Sequence, residues 1–117
     1  MNTEMKRIIE YASTLGIVKL PFPSYSLYAN GTYYGLPELV DMAWIIRIHN
    51  KEKEMDIVKG AYINENLDIM TANAVSYTEL NYKYHLKKLI KKIRKLELVA
   101  KKQKANNRIA KMEKDFV

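Results

Sequence analysis

Glycine and proline, which interrupt regular secondary structure more than other residues, all fall within the first 60 positions of this 117-residue chain. Proline occupies positions 21, 23 and 37, and glycine occupies positions 16, 31, 35 and 60. Residues 61–117 contain neither, which favours helix throughout that stretch. Because 48% of the chain is apolar, it can form the core of one small domain.

The first 15 residues have the pattern of an amphipathic helix. Thr3 is the predicted N-cap, and Gly16 is predicted to end the helix as a C′ glycine. The apolar face consists of side chains spaced three or four residues apart, namely Met5, Ile8, Ile9, Ala12 and Leu15. The following stretch, Val18–Ser24, contains two prolines and is predicted to be extended.

A β-hairpin is predicted over residues 25–34. Its turn is Asn30-Gly31, a dipeptide that favours type I′ geometry because both central residues of that turn need positive φ. The resulting register pairs Ala29 with Thr32, Tyr28 with Tyr33, and Leu27 with Tyr34. Strand alternation then turns the Leu27 pair towards the core and leaves the Tyr28 pair more exposed.

Residues 37–50 are apolar almost throughout and are predicted to form a buried or interfacial helix. Pro37 suits the first turn of such a helix, where its missing N–H costs nothing. Trp44 lies in this segment and is expected to be largely buried. Three further elements are expected, a charged turn at 51–54 and short helices at 55–59 and 66–75.

A long helix is predicted from Ser76, which forms a capping box with Glu79. Its apolar residues step by 3, 4, 3 and 4, the spacing of a coiled-coil seam and the predicted interface of a homodimer: Leu86, Leu89, Ile93, Leu96 and Ala100. A second stripe, offset by five residues, contains Ala105, Ile109, Met112 and Phe116. The offset indicates a stammer, a kink or a change of packing partner near residues 104–107.

The distribution of charged residues changes near the predicted start of this helix. Residues 1–77 contain 7 basic and 9 acidic side chains, whereas residues 78–117 contain 13 basic and 4 acidic ones. We therefore predict a small body over 1–77 and a basic, partly coiled-coil-like helix over 78–117. A basic segment of this kind indicates an anionic partner, most often nucleic acid. The alternative is a solvated surface of a helix bundle.

Nucleic-acid binding is the chemistry that the residues favour, with duplex DNA as the expected partner. The predicted contacts on the last helix are Lys87, Lys88, Lys91, Lys92, Arg94 and Lys95. Secondary contacts are predicted at the hairpin tip, at Tyr28, Asn30, Thr32 and Tyr33. Lysine greatly outnumbers arginine in the helix, which favours attraction to phosphates over bidentate reading of bases.

Other kinds of site find little support in the sequence. The chain has no cysteine and two histidines, and it lacks metal-ligand, phosphate-loop and catalytic-triad motifs, so we expect no metal, no cofactor and no enzymatic activity. No apolar run approaches the ~18 residues that span a bilayer, and the N-terminus lacks a signal-peptide core. We therefore expect no membrane association and a cytoplasmic location.

The segment YSLYANGTYYGLPELVDMAWII, from Tyr25 to Ile46, resembles the wing and following helix of MerR-type and excisionase-type winged helix-turn-helix domains. The matching positions are the Asn30-Gly31 turn, Tyr33 or Tyr34, Glu38, and Leu39 with Met42 or Ile45. Upstream, residues 9–17 are similar to the first helix and turn of those domains. The proline-broken stretch before the hairpin stands where those families have a recognition helix. The resemblance therefore implies DNA contact through the wing and the basic helix.

Together these features predict a mainly α fold with one β-hairpin, an α+β arrangement like a winged helix, followed by a long basic C-terminal helix. The predicted function is a non-enzymatic nucleic-acid-binding accessory or regulatory protein. Lys, Ile, Asn and Tyr, whose codons are A/T-rich, are abundant, and we expect a phage or mobile element as the source. The alternative function is a protein-interaction or assembly factor, such as an inhibitor of a host protein or a virion component, that uses the apolar helices.

Overall fold

The computed structural model describes residues 1–21, 31–40, 43–49 and 51–115. Within these ranges an antiparallel sheet of five strands follows chain order, so that each strand neighbours the next. The strands are β1 (Val18–Lys19), β2 (Thr32–Gly35), β3 (Ile46–His49), β4 (Glu54–Ile63) and β5 (Ile69–Ser76). The helices are α1 (Thr3–Thr14) and α2 (Tyr82–Asp115), with a short 3₁₀ turn at Tyr77–Glu79.

The prediction of a mainly α, winged-helix-like fold is therefore wrong, because the sheet is the central element. The predicted helices at 55–59 and 66–75 lie within β4 and β5. Gly60 does not end an element but lies inside β4, opposite Ala72. The absence of Gly and Pro after position 60 removed helix breakers, yet it did not itself select helix over strand.

The segment predicted as the helix 37–50 forms a turn at residues 37–39 and then strand β3. In β3, Ile46 and Ile48 are buried, whereas Arg47 and His49 are only partly buried on the opposite face. This period of two is the pattern of a strand with one face on the core. The helix that the family resemblance implies after the wing is thus not formed in the described part of this segment.

Residues 51–53, in the charged stretch that was predicted to be a turn, form a turn before β4. Its residues Lys51 and Glu52 have φ of +53° and +65°, the left-handed conformation required at both central positions of a type I′ turn. Neither is Gly or Asn, so this turn lacks the usual sequence signature. The Arg47–Asp56 and His49–Glu54 pairs in the ladder hold it in place.

Helix α1 begins and ends close to its predicted bounds. The N-cap is Asn2 and not Thr3, because the Asn2 Oδ1 accepts a hydrogen bond from the Met5 N–H at 2.8 Å. Gly16, at φ +86°, follows the helix in the left-handed conformation, as predicted. On the predicted apolar face Met5, Ile8 and Ala12 are buried.

Helix α2 begins at Tyr82, six residues after the predicted start. The Ser76 hydroxyl instead accepts the Thr78 N–H at the start of the 3₁₀ turn. Asn81 precedes the helix, and its Oδ1 accepts the Tyr84 N–H at 3.4 Å. Ser76, the predicted cap of the long helix, therefore caps the short 3₁₀ turn that connects β5 to α2.

One contiguous core joins α1, one face of the sheet and the first part of α2. The predicted coiled-coil seam lies in this core, since Leu86 and Ile93 are fully buried within a single chain and Leu89 and Ala100 nearly so. These side chains leave almost no surface for a second chain, which corrects their interpretation as an oligomer interface. The boundary predicted between residues 77 and 78 does not separate two independently packed parts.

Beyond Ala100, α2 continues without interruption to Asp115, and every side chain described there is exposed. The 34-residue helix is about 50 Å long at about 1.5 Å per residue, and so extends past the body. The shift between the two apolar stripes thus coincides with the point where the helix leaves the sheet. The helix is not interrupted at this point, and no new packing partner replaces the sheet among the described residues.

The predicted hairpin falls largely on residues 25–30, which lie outside the described ranges. The described strand of this segment is β2. In β2, Tyr34 pairs with Lys19 of β1 on one side and with Ile46 of β3 on the other. Tyr34 thus has strand neighbours on both sides, and Leu27, its predicted partner, lies outside the described residues. Tyr33, predicted to be the more exposed tyrosine, is only 2% exposed.

Gly31→Val should lower the free energy of unfolding by about 1–3 kcal/mol, the usual cost of overpacking. The φ of Gly31 does not lie in the left-handed region, so the reason is not the type I′ turn that the sequence predicted. A Cβ at this position would instead lie 3.0 Å from Cε2 of the buried Tyr33 ring. Thermal or chemical denaturation measures the loss, and Gly60→Val, where nothing lies within 4 Å of the new Cβ, shows the effect of adding valine without a clash.

Candidate nucleic-acid interface

The outer face of α2 carries a row of lysines that follows from its helical spacing. With Leu86 and Ile93 turned to the core, residues four or seven positions apart share the opposite side. The exposed lysines between residues 86 and 96 are Lys87, Lys88, Lys91, Lys92 and Lys95. The sheet and α1 thus hold one side of the helix rigidly and leave a positively charged side in solvent.

Among the residues that the structure describes, none of these five ammonium groups forms an ion pair with a carboxylate. The Lys88 Nζ lies 5.7 Å from the centroid of the Tyr84 ring, a cation–π distance. Like charges on successive turns repel one another, and a polyanion would relieve that repulsion.

Two neighbouring cavities lie along this face. One, of about 360 Å³, lies between the helix and β4 and is lined by Lys59, His85, Lys88, Leu89 and Lys92. The other, of 240 Å³, is lined by Tyr84, Lys87, Lys88 and Lys91. Lys88 borders both, and neither is lined by an acidic side chain.

His85 joins the helix to the sheet beside the first cavity. Its Nε2 lies 2.8 Å from the carbonyl oxygen of Val58. Because a carbonyl can only accept, Nε2 carries the proton and donates. Val58 directly precedes Lys59, so this hydrogen bond sets the position of Lys59 relative to the lysines of α2.

Arg94 differs from its lysine neighbours. Its Nη1 donates to the Glu38 Oε1 at 2.6 Å and to the Glu97 Oε1 at 2.7 Å. The hydrogen bond from Arg94 holds the pKa of Glu38 below its ordinary value. Two carboxylates thus neutralise this guanidinium, which removes Arg94 from the predicted set of free phosphate contacts.

The contacts predicted at the hairpin tip are less accessible than those on the helix, or they lie outside the described residues. Tyr33 is buried, with its ring 5.5 Å from the Trp44 ring in an edge-to-face arrangement, so it cannot offer a surface to nucleic acid. Thr32 is partly buried in β2. Tyr28 and Asn30 lie outside the described residues. Trp44, predicted to be largely buried, is partly buried and packs against the core.

The outer face of the sheet has a second group of charged side chains, centred on Asp56. Its Oδ2 lies 2.7 Å from Nη2 of Arg47 and 2.9 Å from Nε2 of His49. The His49 Nδ1 lies 3.4 Å from Glu54, and the Arg47 guanidinium lies over the Trp44 ring at 5.0 Å. These side chains of β3 and β4 thus pair their charges and hydrogen bonds with one another. No group of three or more acidic or histidine ligands for a metal occurs in the described part of the chain.

Sequence reasoning missed Tyr84, His85 and Lys59 as members of the interface. Tyr84 and His85 lie one turn before Lys88, so helical spacing alone indicated that they share its surroundings. Lys59 had no such signal, because its proximity to the helix depends on β4 being a strand. The alternation of buried Met55 and Ile57 with partly exposed Asp56 was the available indication of that strand.

The chain matches no protein-family model, no curated protein and no solved structure. Among the residues that the structure describes, neither helix combines the length and the apolarity that crossing a bilayer requires. The candidate interface therefore rests on the geometry and charge of this chain alone.

Proposed function

We propose that the protein is a non-enzymatic nucleic-acid-binding protein that uses the outer face of α2. The observation that carries the proposal is a row of exposed lysines, none paired with a carboxylate among the described residues, on a helix whose opposite side is buried against the sheet. A rigid, one-sided array of ammonium groups suits a regular polyanion, because each phosphate it neutralises releases counterions. Residues 78–117 carry a net charge of +9, from 13 basic and 4 acidic side chains.

The composition of the interface favours contacts to the backbone of the nucleic acid. Lysine acts as a flexible point charge, whereas specific base reading usually relies on the planar fork of arginine. The one arginine in this part of α2, Arg94, is engaged by Glu38 and Glu97. We therefore propose binding with little dependence on base sequence.

Affinity for nucleic acid should fall linearly with salt on logarithmic axes, with a slope of about −0.7 per phosphate contacted on a single strand or −0.9 on a duplex. Lys91→Gln should make the slope shallower by about one such increment. Arg94→Gln should leave the slope unchanged, because two carboxylates already neutralise the arginine. Fluorescence anisotropy with labelled oligonucleotides, at salt concentrations from low to physiological, measures all three slopes.

Arg94→Gln is the matched control, since both variants remove one positive charge from the same helix. Equal changes in the two variants would mean that only total charge matters and that α2 has no defined contact face. Absence of salt-dependent binding to any nucleic acid at low ionic strength would overturn the proposal.

A protein-interaction or assembly role is the second candidate, and it has one observation in its favour. Large apolar side chains are exposed on α2, with Ile109 and Met112 beyond Ala100 and Leu98 shortly before it all more than half exposed. Bulky apolar groups on a helix that extends beyond the body are typical of a surface that another protein covers. If nucleic acid does not bind, this function takes precedence.

A further inference from the structure

The basic face of α2 contains one aromatic side chain with a largely exposed ring, Tyr84, at 67% exposure. Isolated exposed aromatic residues are common, so exposure alone says little. Tyr84 differs in its surroundings, because it lines the 240 Å³ cavity together with Lys87, Lys88 and Lys91. An aromatic surface bordered on several sides by ammonium groups offers two complementary contacts, one for a flat ring and one for phosphates.

The spacing along the helix suits a nucleic-acid strand. Tyr84 and Lys91 are seven residues apart, which corresponds to about 10 Å along the helix axis. That length is comparable to three phosphates of a stacked strand, at about 3.4 Å each. One base on Tyr84 can thus be flanked by phosphates that reach Lys88 and Lys91.

The 360 Å³ cavity between α2 and β4 lies next to this 240 Å³ cavity. The two share Lys88, and the larger one adds Lys59, His85 and Lys92. Its volume of 360 Å³ is within the range of pockets that take small organic ligands, so it has room for a phosphate with its attached sugar. Leu89 supplies an apolar side chain in its lining, and the His85 hydrogen bond to β4 maintains its width.

In an intact duplex an exposed aromatic ring has no open base face to stack on, because neighbouring pairs cover the faces of the paired bases. Bases of a single strand can leave the stack and lie on an aromatic ring, and this contact tolerates any sequence. Lysine contacts to phosphates serve both forms equally well. The position of Tyr84 among the lysines therefore discriminates between them.

We infer that the protein binds single-stranded nucleic acid, with one unpaired base stacked on Tyr84 and the adjacent phosphate in the cavity formed by Lys59, His85, Lys88 and Lys92. This inference rests on the proposed function and specifies its substrate class. It differs from the duplex DNA that the sequence led us to expect. Single-stranded DNA and RNA share the recognised chemistry, and separate oligonucleotides distinguish them.

Tyr84→Ala should weaken binding of a single-stranded oligonucleotide by about 5- to 150-fold, the range for loss of one stacking contact. Its salt slope should not change, because tyrosine carries no charge. Tyr84→Phe should retain the affinity, since the ring is preserved. Tyr62→Ala is the matched control, because Tyr62 is another half-exposed tyrosine that lines neither cavity. Alanine is the better helix former, so the Tyr84 variant keeps α2 intact.

The ligands in this titration are DNA and RNA strands of mixed sequence, the corresponding duplexes, and an abasic strand with the same number of phosphates. We expect single strands to bind more tightly than duplexes or the abasic strand. We also expect Lys59→Gln to make the single-strand slope shallower by about 0.7, which a purely structural role of Lys59 would not do.

Equal affinity for single strands and duplexes, or a change below twofold in Tyr84→Ala, would overturn this inference. Salt-dependent binding that persists in either case would leave the proposed function intact. Loss of salt-dependent binding in the wild-type protein itself would overturn both. The two failures are thus distinguishable in one set of titrations.

Discussion

Leu86→Ala should lower the free energy of unfolding by about 2–5 kcal/mol, the usual cost of truncating a fully buried leucine. Leu86 has no exposed surface and lies in the core between α2 and the sheet. The change removes apolar contacts and leaves a cavity that the surrounding strands cannot fill completely. Urea denaturation followed by circular dichroism measures the loss as a lower midpoint at nearly constant slope.

Leu98→Ala is the matched control on the same helix. Leu98 is 69% exposed, so the same truncation there should change the stability by about 0.5 kcal/mol or less. The wild-type midpoint should also be independent of protein concentration, because the seam packs against its own sheet. Equal losses in the two variants, or a midpoint that rises with concentration, would contradict intrachain packing of the seam.

Replacing Lys87, Lys88, Lys91 and Lys92 together with glutamine should remove most of the affinity for nucleic acid. If each lysine neutralises one phosphate of a single strand, the salt slope becomes shallower by about 2.8. Between about 50 and 200 mM salt, the wild-type protein should then lose about 50-fold more affinity than the variant. Glutamine is nearly as good a helix former as lysine, so α2 should remain folded.

The control removes four positive charges elsewhere, through Lys6, Lys19, Lys51 and Lys53→Gln. All four side chains are exposed and lie on α1, on β1 or in the turn before β4. The net charge of the two variants is identical, so only the location of the charges differs. A slope that changes by the same amount in both would mean that binding has no preferred surface. Circular dichroism of each variant verifies that the fold is retained.

The sequence predicted the existence of both helices, although α2 begins at Tyr82, six residues after its predicted start, and its continuity past residue 104 was left open. In α1, apolar residues at intervals of three and four residues and a glycine after the last turn specify helix locally, and the structure agrees apart from the cap. In α2, good helix formers follow one another without Gly or Pro, so the helix reaches Asp115. The lysine row follows directly, because helical geometry fixes which positions share a face.

The sheet was not predictable to the same degree, for a physical reason. β3 is four residues long and is flanked by apolar residues such as Trp44 and Ile45, so a short run of this kind is compatible with either helix or strand. A strand is stable only when neighbouring strands satisfy its backbone, and those neighbours lie elsewhere in the chain. The turn before β4, at Lys51 and Glu52, also lacks the residues that usually mark it.

The role of the seam in α2 depends on the sheet as well. Spacing by three and four residues specifies an apolar face that must be buried, and any complementary apolar surface can bury it. The sequence predicted that a second copy of the chain would bury this apolar face, whereas the sheet of the same chain buries it. The sequence therefore determined the two helices and the charge along α2. Tertiary packing decided that the sheet covers the inner side of α2, and it placed Lys59 of β4 beside the lysines of α2. Both outcomes depend on contacts between residues far apart in the chain.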